Sequence, residues 1–173
     1  MIRKLSAILI FCFFSCASVN ERHLEEAVSN GEMLFQEKRY SEAMTVCSEA
    51  EQMARQLDDQ FCLGKIYRIM AHISNAAYRY QDEIQYLKMA SDAFHNAEKP
   101  YNRLYVDMEK GMAYYNVSDY ASAEKVYRDV LYRAYEVSDT ALQAQCLSAY
   151  AALSLEVSSP DPSLSIDMLS RVA

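Results

Sequence analysis

A forty-residue spacing of tyrosines and small residues runs through this chain and limits what it can fold into. The tyrosines lie at Tyr40, Tyr80 and Tyr120. Small residues follow the same step, at Gly31, Ala71, Gly111 and Ala151. Two rows in phase indicate an internal repeat, in which one supersecondary unit is stacked several times. A chain of 173 residues has room for about four such units.

The segments between these marks have the apolar periodicity of helices. In the third segment, Leu63, Ile66 and Met70 recur at helical spacing. Three Gly and three Pro argue against a sandwich or barrel, which needs many tight turns. Asp59 and Asp139 suit N-caps, and Pro100 suits a first helical turn. The pattern predicts seven helices, over residues 21–38, 41–57, 60–78, 81–97, 101–116, 121–137 and 140–157.

The repeated order is a small residue, then a tyrosine at a turn, then a second small residue. It occurs at Gly31, Tyr40 and Ala43, and again at Gly111, Tyr120 and Ala123. This order resembles the tetratricopeptide repeat (TPR) family, in particular bacterial exported members with long repeats. The resemblance implies an all-α fold, an α-solenoid of antiparallel helix pairs over residues 22–173. It implies about four pairs, and the last pair is short of a full length.

Two features of the sequence depart from the pattern of that family. Glu83 stands where the second unit should have a small residue. The repeat is also longer than the usual 34 residues, and helical repeats of the armadillo or HEAT type run near forty. The order of Gly, Tyr and Ala favours the TPR type, with the other helical repeats as the alternative.

The N-terminal segment has the pattern of an export signal. Arg3 and Lys4 precede an apolar run, Leu5–Phe14, which is too short to span a bilayer comfortably. The next residues, Ser15-Cys16-Ala17, resemble a bacterial lipobox. We therefore predict a signal peptide over residues 1–15, lipidation of Cys16 as the mature N-terminus, and a cell-envelope protein facing the periplasm or the outside. The alternatives are secretion or an uncleaved N-terminal anchor.

Charge and composition limit the classes of function. The net charge is −7, and an acidic chain is a poor candidate for binding nucleic acid. Cys47, Cys62 and Cys146 form no cluster with each other or with His, so we predict no metal site and no cofactor. They are expected in the apolar core, with a Cys47–Cys62 bridge as the alternative. No catalytic motif occurs, and we predict that the protein is not an enzyme.

The resemblance implies a concave groove lined by the first helix of each pair. The predicted groove residues are Lys65, Arg68, His72, Asn75, Tyr105, Met108, Met112 and Tyr115. A basic and amide-bearing part would meet a carboxylate, and an aromatic and Met-rich part would take an apolar side chain. The set of Lys, Asn and Arg positions that some family members use to hold a C-terminal carboxylate is not reproduced here.

The expected function is a non-catalytic scaffold that binds a protein or peptide and is held at the membrane by its lipid. Residues 163–173 are rich in apolar side chains. They are expected to cover the first helix of the last pair. Otherwise a second copy or a further chain covers this end, since solenoids normally need a polar cap. The alternative function is that of a sensory ectodomain, the N-terminal part of a larger membrane-tethered signalling or transcriptional regulator.

Overall fold

The computed structural model describes residues 2–156, with side chains from residue 19 onward, and these residues form seven α-helices. The helices are α1 (Ile2–Gln36), α2 (Tyr40–Gln56), α3 (Gln60–Ala76), α4 (Tyr80–Asn96), α5 (Pro100–Asn116), α6 (Tyr120–Glu136) and α7 (Thr140–Glu156). The predicted all-α class is confirmed, and helices α2 to α7 lie within two residues of their predicted bounds. The predicted signal peptide, the lipidation of Cys16 and the segment 163–173 lie outside the described side chains.

The helices from α2 to α7 follow a strict period. Each has 17 residues, and the first residues of successive helices in this series are twenty residues apart. Three residues therefore connect every pair of neighbours. The forty-residue repeat of the sequence consists of two such helix–turn units.

The six turns share one backbone conformation. The middle residue of each turn has a φ between 53° and 61°, in the left-handed region. These middle residues are Lys38, Asp58, Tyr78, Glu98, Ser118 and Ser138. Since each side chain at such a position costs about 1–2 kcal/mol, the hydrogen bonds of the turn must offset that cost.

The hydrogen bonds of the first turn are those of a Schellman motif. The Lys38 N–H donates to the Phe35 carbonyl at 2.9 Å, and the Arg39 N–H donates to the Leu34 carbonyl at 2.9 Å. The same two bonds close each of the other five turns. They satisfy carbonyls that the end of a helix leaves without intrahelical donors, which explains why the turn recurs without glycine.

Aspartates cap the N-termini of three helices. Asp59 accepts from the Cys62 N–H at 2.9 Å, and Asp139 accepts from the Leu142 N–H at 3.0 Å, as predicted. Asp119 does the same for Ser122 at 3.2 Å. Pro100 is the first residue of α5, also as predicted. A capping side chain of this kind contributes about 1 kcal/mol.

The chain divides into two compact units, residues 1–107 and 108–173. In the first unit, α1 packs on α2, α2 on α3 and α3 on α4, and α1 also contacts α3. In the second unit, α6 packs on α7. Within each unit, neighbouring helices are antiparallel and follow chain order, the arrangement of a helical-repeat array. Within the described side chains, no helix is both long enough and apolar enough to cross a membrane.

Two small residues of the repeat, Gly31 and Gly111, lie where two helices approach closely. A Cβ carbon at Gly31 would lie 2.9 Å from the Cys47 sulfur, and one at Gly111 would lie 2.4 Å from the Tyr127 ring. Gly64, which is not one of the small residues at 31, 71, 111 and 151, lies against the ring of Phe94. Glycine at these points lets the partner side chain rest on the helix backbone.

Cys47, Cys62 and Cys146 are free and buried, which confirms their predicted place in the apolar core. The alternative Cys47–Cys62 bridge is not formed. Burial is the main reason that the pKa of each of these thiols rises to about 12. The three thiols are therefore protonated at neutral pH, and they pack as small apolar groups.

Candidate functional site

A cavity of about 370 Å³ lies in the first unit between α1 and α3. It brings together three of the predicted groove residues, Lys65, Arg68 and His72, all on α3. The other lining residues are Glu25, Val28, Ser29, Glu32, Cys62, Ile69, Phe94 and Asn102. Its volume falls within the range of pockets that hold small ligands or short peptide segments.

The two walls of the cavity carry opposite charges. Glu25 and Glu32 project from α1, seven residues apart, which is about two helical turns. Lys65 and Arg68 stand on α3 with His72, over the same length of helix. An acidic wall thus faces a basic wall. A ligand that bears both signs of charge fits such a site better than an ion of one sign.

The floor of the cavity is apolar. Val28, Ile69 and Phe94 are all buried and are among its lining residues. Phe94 comes from α4 and rests on Gly64, where a Cβ would lie 2.6 Å from the ring. Burial, followed by the hydrogen bond to Asp59, raises the pKa of the Cys62 thiol to about 12, so this group adds no charge at neutral pH. The floor can therefore accept an apolar side chain between the two charged walls.

Aromatic rings position two of the polar side chains. The Lys65 ammonium lies 4.4 Å from the centre of the Phe61 ring, which is a cation–π contact. The Lys99 ammonium lies 5.3 Å from the same ring. The imidazole of His72 packs on Phe35 of α1, with ring centres 5.7 Å apart. These contacts hold the basic wall close to apolar surface.

Asn75 has a structural partner in α4. Its amide nitrogen donates to both carboxylate oxygens of Glu83, at 3.0 and 2.9 Å. Glu83 is buried, and it stands where the repeat otherwise has a small residue. The Asn75 amide satisfies the buried carboxylate, which explains how the second unit tolerates the departure. Asn75 is not among the residues that line the cavity.

The other predicted groove residues differ in how much of their surface is exposed. Tyr105 is half-buried in the first unit. In the second unit, Met112 is exposed, and Tyr115 is half-buried against Tyr120, with ring centres 5.6 Å apart. Met108 is in the interior, where its sulfur lies 3.5 Å from that of Cys146. Met108 therefore offers no surface for a ligand.

Several cavity residues were not in the predicted set. Ile69 and Phe94 form much of the floor, and Asn102 comes from the first turn of α5. The resemblance to TPR proteins implied a groove lined only by the first helix of each pair. A contribution from α4, which is a second helix, was therefore not expected. Gly64 was the available signal, because a glycine within a helix indicates that a bulky neighbour lies close to the backbone.

The described residues hold no group of three or more His, Cys, Asp or Glu that could bind a metal ion. His95 lies near Arg103, with its Nδ1 3.2 Å from a guanidinium nitrogen. Since a guanidinium can only donate, Nδ1 of His95 is the acceptor in this contact.

These observations define a helical-repeat protein whose first unit carries a charged cavity between neighbouring first helices. Comparison of the chain with known protein families, with curated proteins and with solved structures found no match.

Proposed function

We propose that this chain is a non-catalytic scaffold of the TPR type that binds a peptide segment of a partner protein. The observation that supports the proposal is the cavity between α1 and α3, where acidic and basic walls flank an apolar floor. An extended peptide supplies the matching groups, with charged side chains on either side of an apolar one. No metal or cofactor enters this function, and the proposal includes no chemical step.

The residues are proposed to act as follows. Lys65 and Arg68 bind an acidic side chain or carboxylate, and a guanidinium can do so through two parallel hydrogen bonds. Glu25 and Glu32 bind a basic side chain of the same peptide. His72 adds a donor or acceptor according to its tautomer. In the second unit, Met112 and Tyr115 offer adaptable apolar surface of the kind found at peptide-binding sites.

The test is selection from a random peptide library on the full chain. The selected peptides are then measured against a variant with a reversed basic wall, Lys65→Glu with Arg68→Glu. We expect their Kd to rise by about tenfold or more, a loss of about 1.4 kcal/mol or more. The matched control reverses Lys125 and Arg128 to Glu, because both are exposed on α6, and it should leave the Kd unchanged.

Two results would contradict peptide binding by this cavity. One is a selection that enriches no peptide. The other is a set of peptides that bind the reversed wall and the α6 control equally well. Retained helix content in circular dichroism shows that both variants are folded before affinities are compared.

We also propose that the protein is exported and anchored in the cell envelope through Cys16. Support comes from the sequence, in the Arg3-Lys4 pair, the short apolar run and the Ser15-Cys16 junction. The intact mass of protein extracted from native membranes tests this. The expected mass is that of residues 16–173 with three acyl chains, and Cys16→Ser should abolish the modification. An unmodified mass would contradict the anchor, and a much larger one would favour the sensory ectodomain.

A further inference from the structure

The last described helix exposes a face that is buried elsewhere in the repeat. Gly31, Ala71 and Gly111 occupy one repeat position, and all three are buried. Ala151 occupies the same position on α7 and is exposed. Ala144 is also exposed, although Gly64, at the same position on α3, is buried.

The contacts of the equivalent residues show what normally covers this face. Gly31 faces Cys47, and Gly111 faces Tyr127, in each case a residue of the next helix. Gly64 likewise faces Phe94 of α4. On α7 the interior is formed by Leu142, Cys146, Tyr150 and Leu153. The face that a following helix would cover has no such cover within residues 19–156.

The distribution of apolar residues in α7 is that of a helix which is covered on two faces. Its apolar residues occur all round the helix rather than along one stripe, which is typical of helices that are covered on more than one face. Leu155, near its end, is 87% exposed. By helical spacing, Leu155 is on the same face of α7 as Ala144 and Ala151, so it adds a large apolar side chain to this exposed face.

The sequence beyond α7 repeats the pattern of the covering helices. In α2, Ala43, Cys47 and Ala50 are buried, and in α6 the equivalent residues Ala123, Tyr127 and Val130 are buried. The same spacing of a small residue and two apolar ones recurs at Ser165, Leu169 and Val172. These three residues lie outside the described part of the chain, so the comparison is one of sequence.

We propose that residues 163–173 bind the exposed face of α7, with Leu169 against Ala151 as Tyr127 lies against Gly111. The interval from Ala151 to Leu169 is two residues longer than that from Gly111 to Tyr127. The occupant is this segment rather than a second copy of the chain, because it has the required residue pattern and is joined to α7 by a short connection. A tethered segment has a high effective concentration at its site.

Labelling of an engineered cysteine with a maleimide tests the proposal on the full chain. Cys12→Ser and Cys16→Ser remove the N-terminal thiols. The remaining native thiols are buried and protonated at neutral pH, which keeps the background low. Ala151→Cys reports on the proposed contact. Ala152→Cys is the matched control, because Ala152 is the adjacent exposed residue on another side of α7.

We expect Ala151→Cys to react more slowly than Ala152→Cys by about tenfold or more, since labelling then requires local opening. Adding Leu169→Asp should remove the difference. Adding Ser170→Asp should leave it, because its equivalents Ser48, Lys88 and Arg128 are all exposed. This pair of variants separates loss of the contact from a general effect of a new charge.

Equal labelling rates at Ala151→Cys and Ala152→Cys would overturn the proposal. So would slow labelling of Ala151→Cys that Leu169→Asp leaves unchanged. In that case, repeating the measurement over a range of protein concentrations identifies the occupant. Protection that is lost on dilution would assign the α7 face to a second copy of the chain.

Discussion

The ring of Tyr127 lies directly on the backbone of Gly111. A Cβ carbon at Gly111 would lie 2.4 Å from Cε1 of the ring and 2.7 Å from Cδ1. Tyr127 is only 2% exposed, so the ring has little room to withdraw. The close approach of α5 and α6 in the second unit therefore depends on a residue without a side chain.

We expect Gly111→Ala to lower the free energy of unfolding, even though alanine is the better helix former by about 1 kcal/mol. The clash with the Tyr127 ring should cost about 1–3 kcal/mol. Urea unfolding followed by circular dichroism measures the effect.

The control for this test is Gly111→Ala in a Tyr127→Leu background. There the smaller side chain leaves room for the new methyl group, so Gly111→Ala should become neutral or stabilising. A loss of equal size in both backgrounds would mean that the clash is not with Tyr127.

The left-handed turn residues give a second prediction. Glu98 has a φ of 54°, and glycine adopts this conformation without the steric penalty of a Cβ. Relief of that penalty, about 1–2 kcal/mol, exceeds the cost of the greater freedom that glycine gives the unfolded chain, about 0.4–1 kcal/mol. Glu98→Gly should therefore raise the free energy of unfolding by about 0.5–1 kcal/mol. Glu49→Gly, at an exposed position inside α2, is the control and should lower it by about 1 kcal/mol. If both changes destabilise the protein equally, the turn does not have this conformation in solution.

The third prediction concerns alkaline pH. Burial, followed by the hydrogen bond to Glu51, raises the pKa of Tyr67 to about 12. Burial raises the pKa of Tyr127 to about 12 as well, and the core thiols behave likewise. In the unfolded chain these phenols and thiols titrate near pH 10 and pH 8.5. Between those values and pH 12 the folded state binds more protons, so stability falls as the pH rises.

Urea midpoints at a series of pH values from neutral to alkaline measure this loss. Tyr67→Phe should make the decline shallower, because it removes one of the groups responsible. It should also cost about 1 kcal/mol at neutral pH, since the Tyr67 hydroxyl donates to Glu51 at 2.8 Å and accepts from Arg55 at 2.6 Å. Tyr132→Phe is the control, as this ring is exposed. An unchanged slope in Tyr67→Phe would contradict the assignment.

The fourth prediction concerns a buried polar pair in the first unit. The Ser91 hydroxyl donates to Asp107 Oδ1 at 2.8 Å, and both residues are buried. Ser91→Ala removes a donor from a buried carboxylate and should cost about 1–3 kcal/mol. Ser91→Ala combined with Asp107→Val should recover part of that loss, because the buried carboxylate is then absent. The change also gives up the ion pair of Asp107 with the partly exposed Arg103 guanidinium, whose Nε lies 3.7 Å away, so the recovery is only partial. Thermal unfolding of the two variants decides this, and a double variant less stable than Ser91→Ala would refute it.

The Ser91–Asp107 pair also shows that the same two repeat positions can be joined by different side chains in different units. Glu51 and Tyr67 stand at the same positions forty residues earlier, and they too are joined by a hydrogen bond. The forty-residue spacing in the sequence identifies such positions as equivalent. Only the packing of adjacent helices shows that their side chains meet.

The sequence predicted the helices and most of their ends because these depend on local physics. Apolar periodicity selects the helical state, and Asp59, Asp139 and Pro100 act on their own helix termini. The shared turn conformation was not predicted, since Lys38, Tyr78 and Glu98 have no special preference for a positive φ. The hydrogen bonds of each turn, between residues close in the chain, impose it.

The candidate site, too, was predicted from the sequence only in part. The repeat alone indicated that Lys65, Arg68 and His72 share one face of α3, since helical spacing decides which residues are neighbours on a surface. That Glu25 and Glu32 stand opposite, that Phe94 closes the floor and that Asn75 is held by Glu83 were decided by tertiary structure. These contacts join residues of different helices, and their geometry depends on how closely each pair of helices packs.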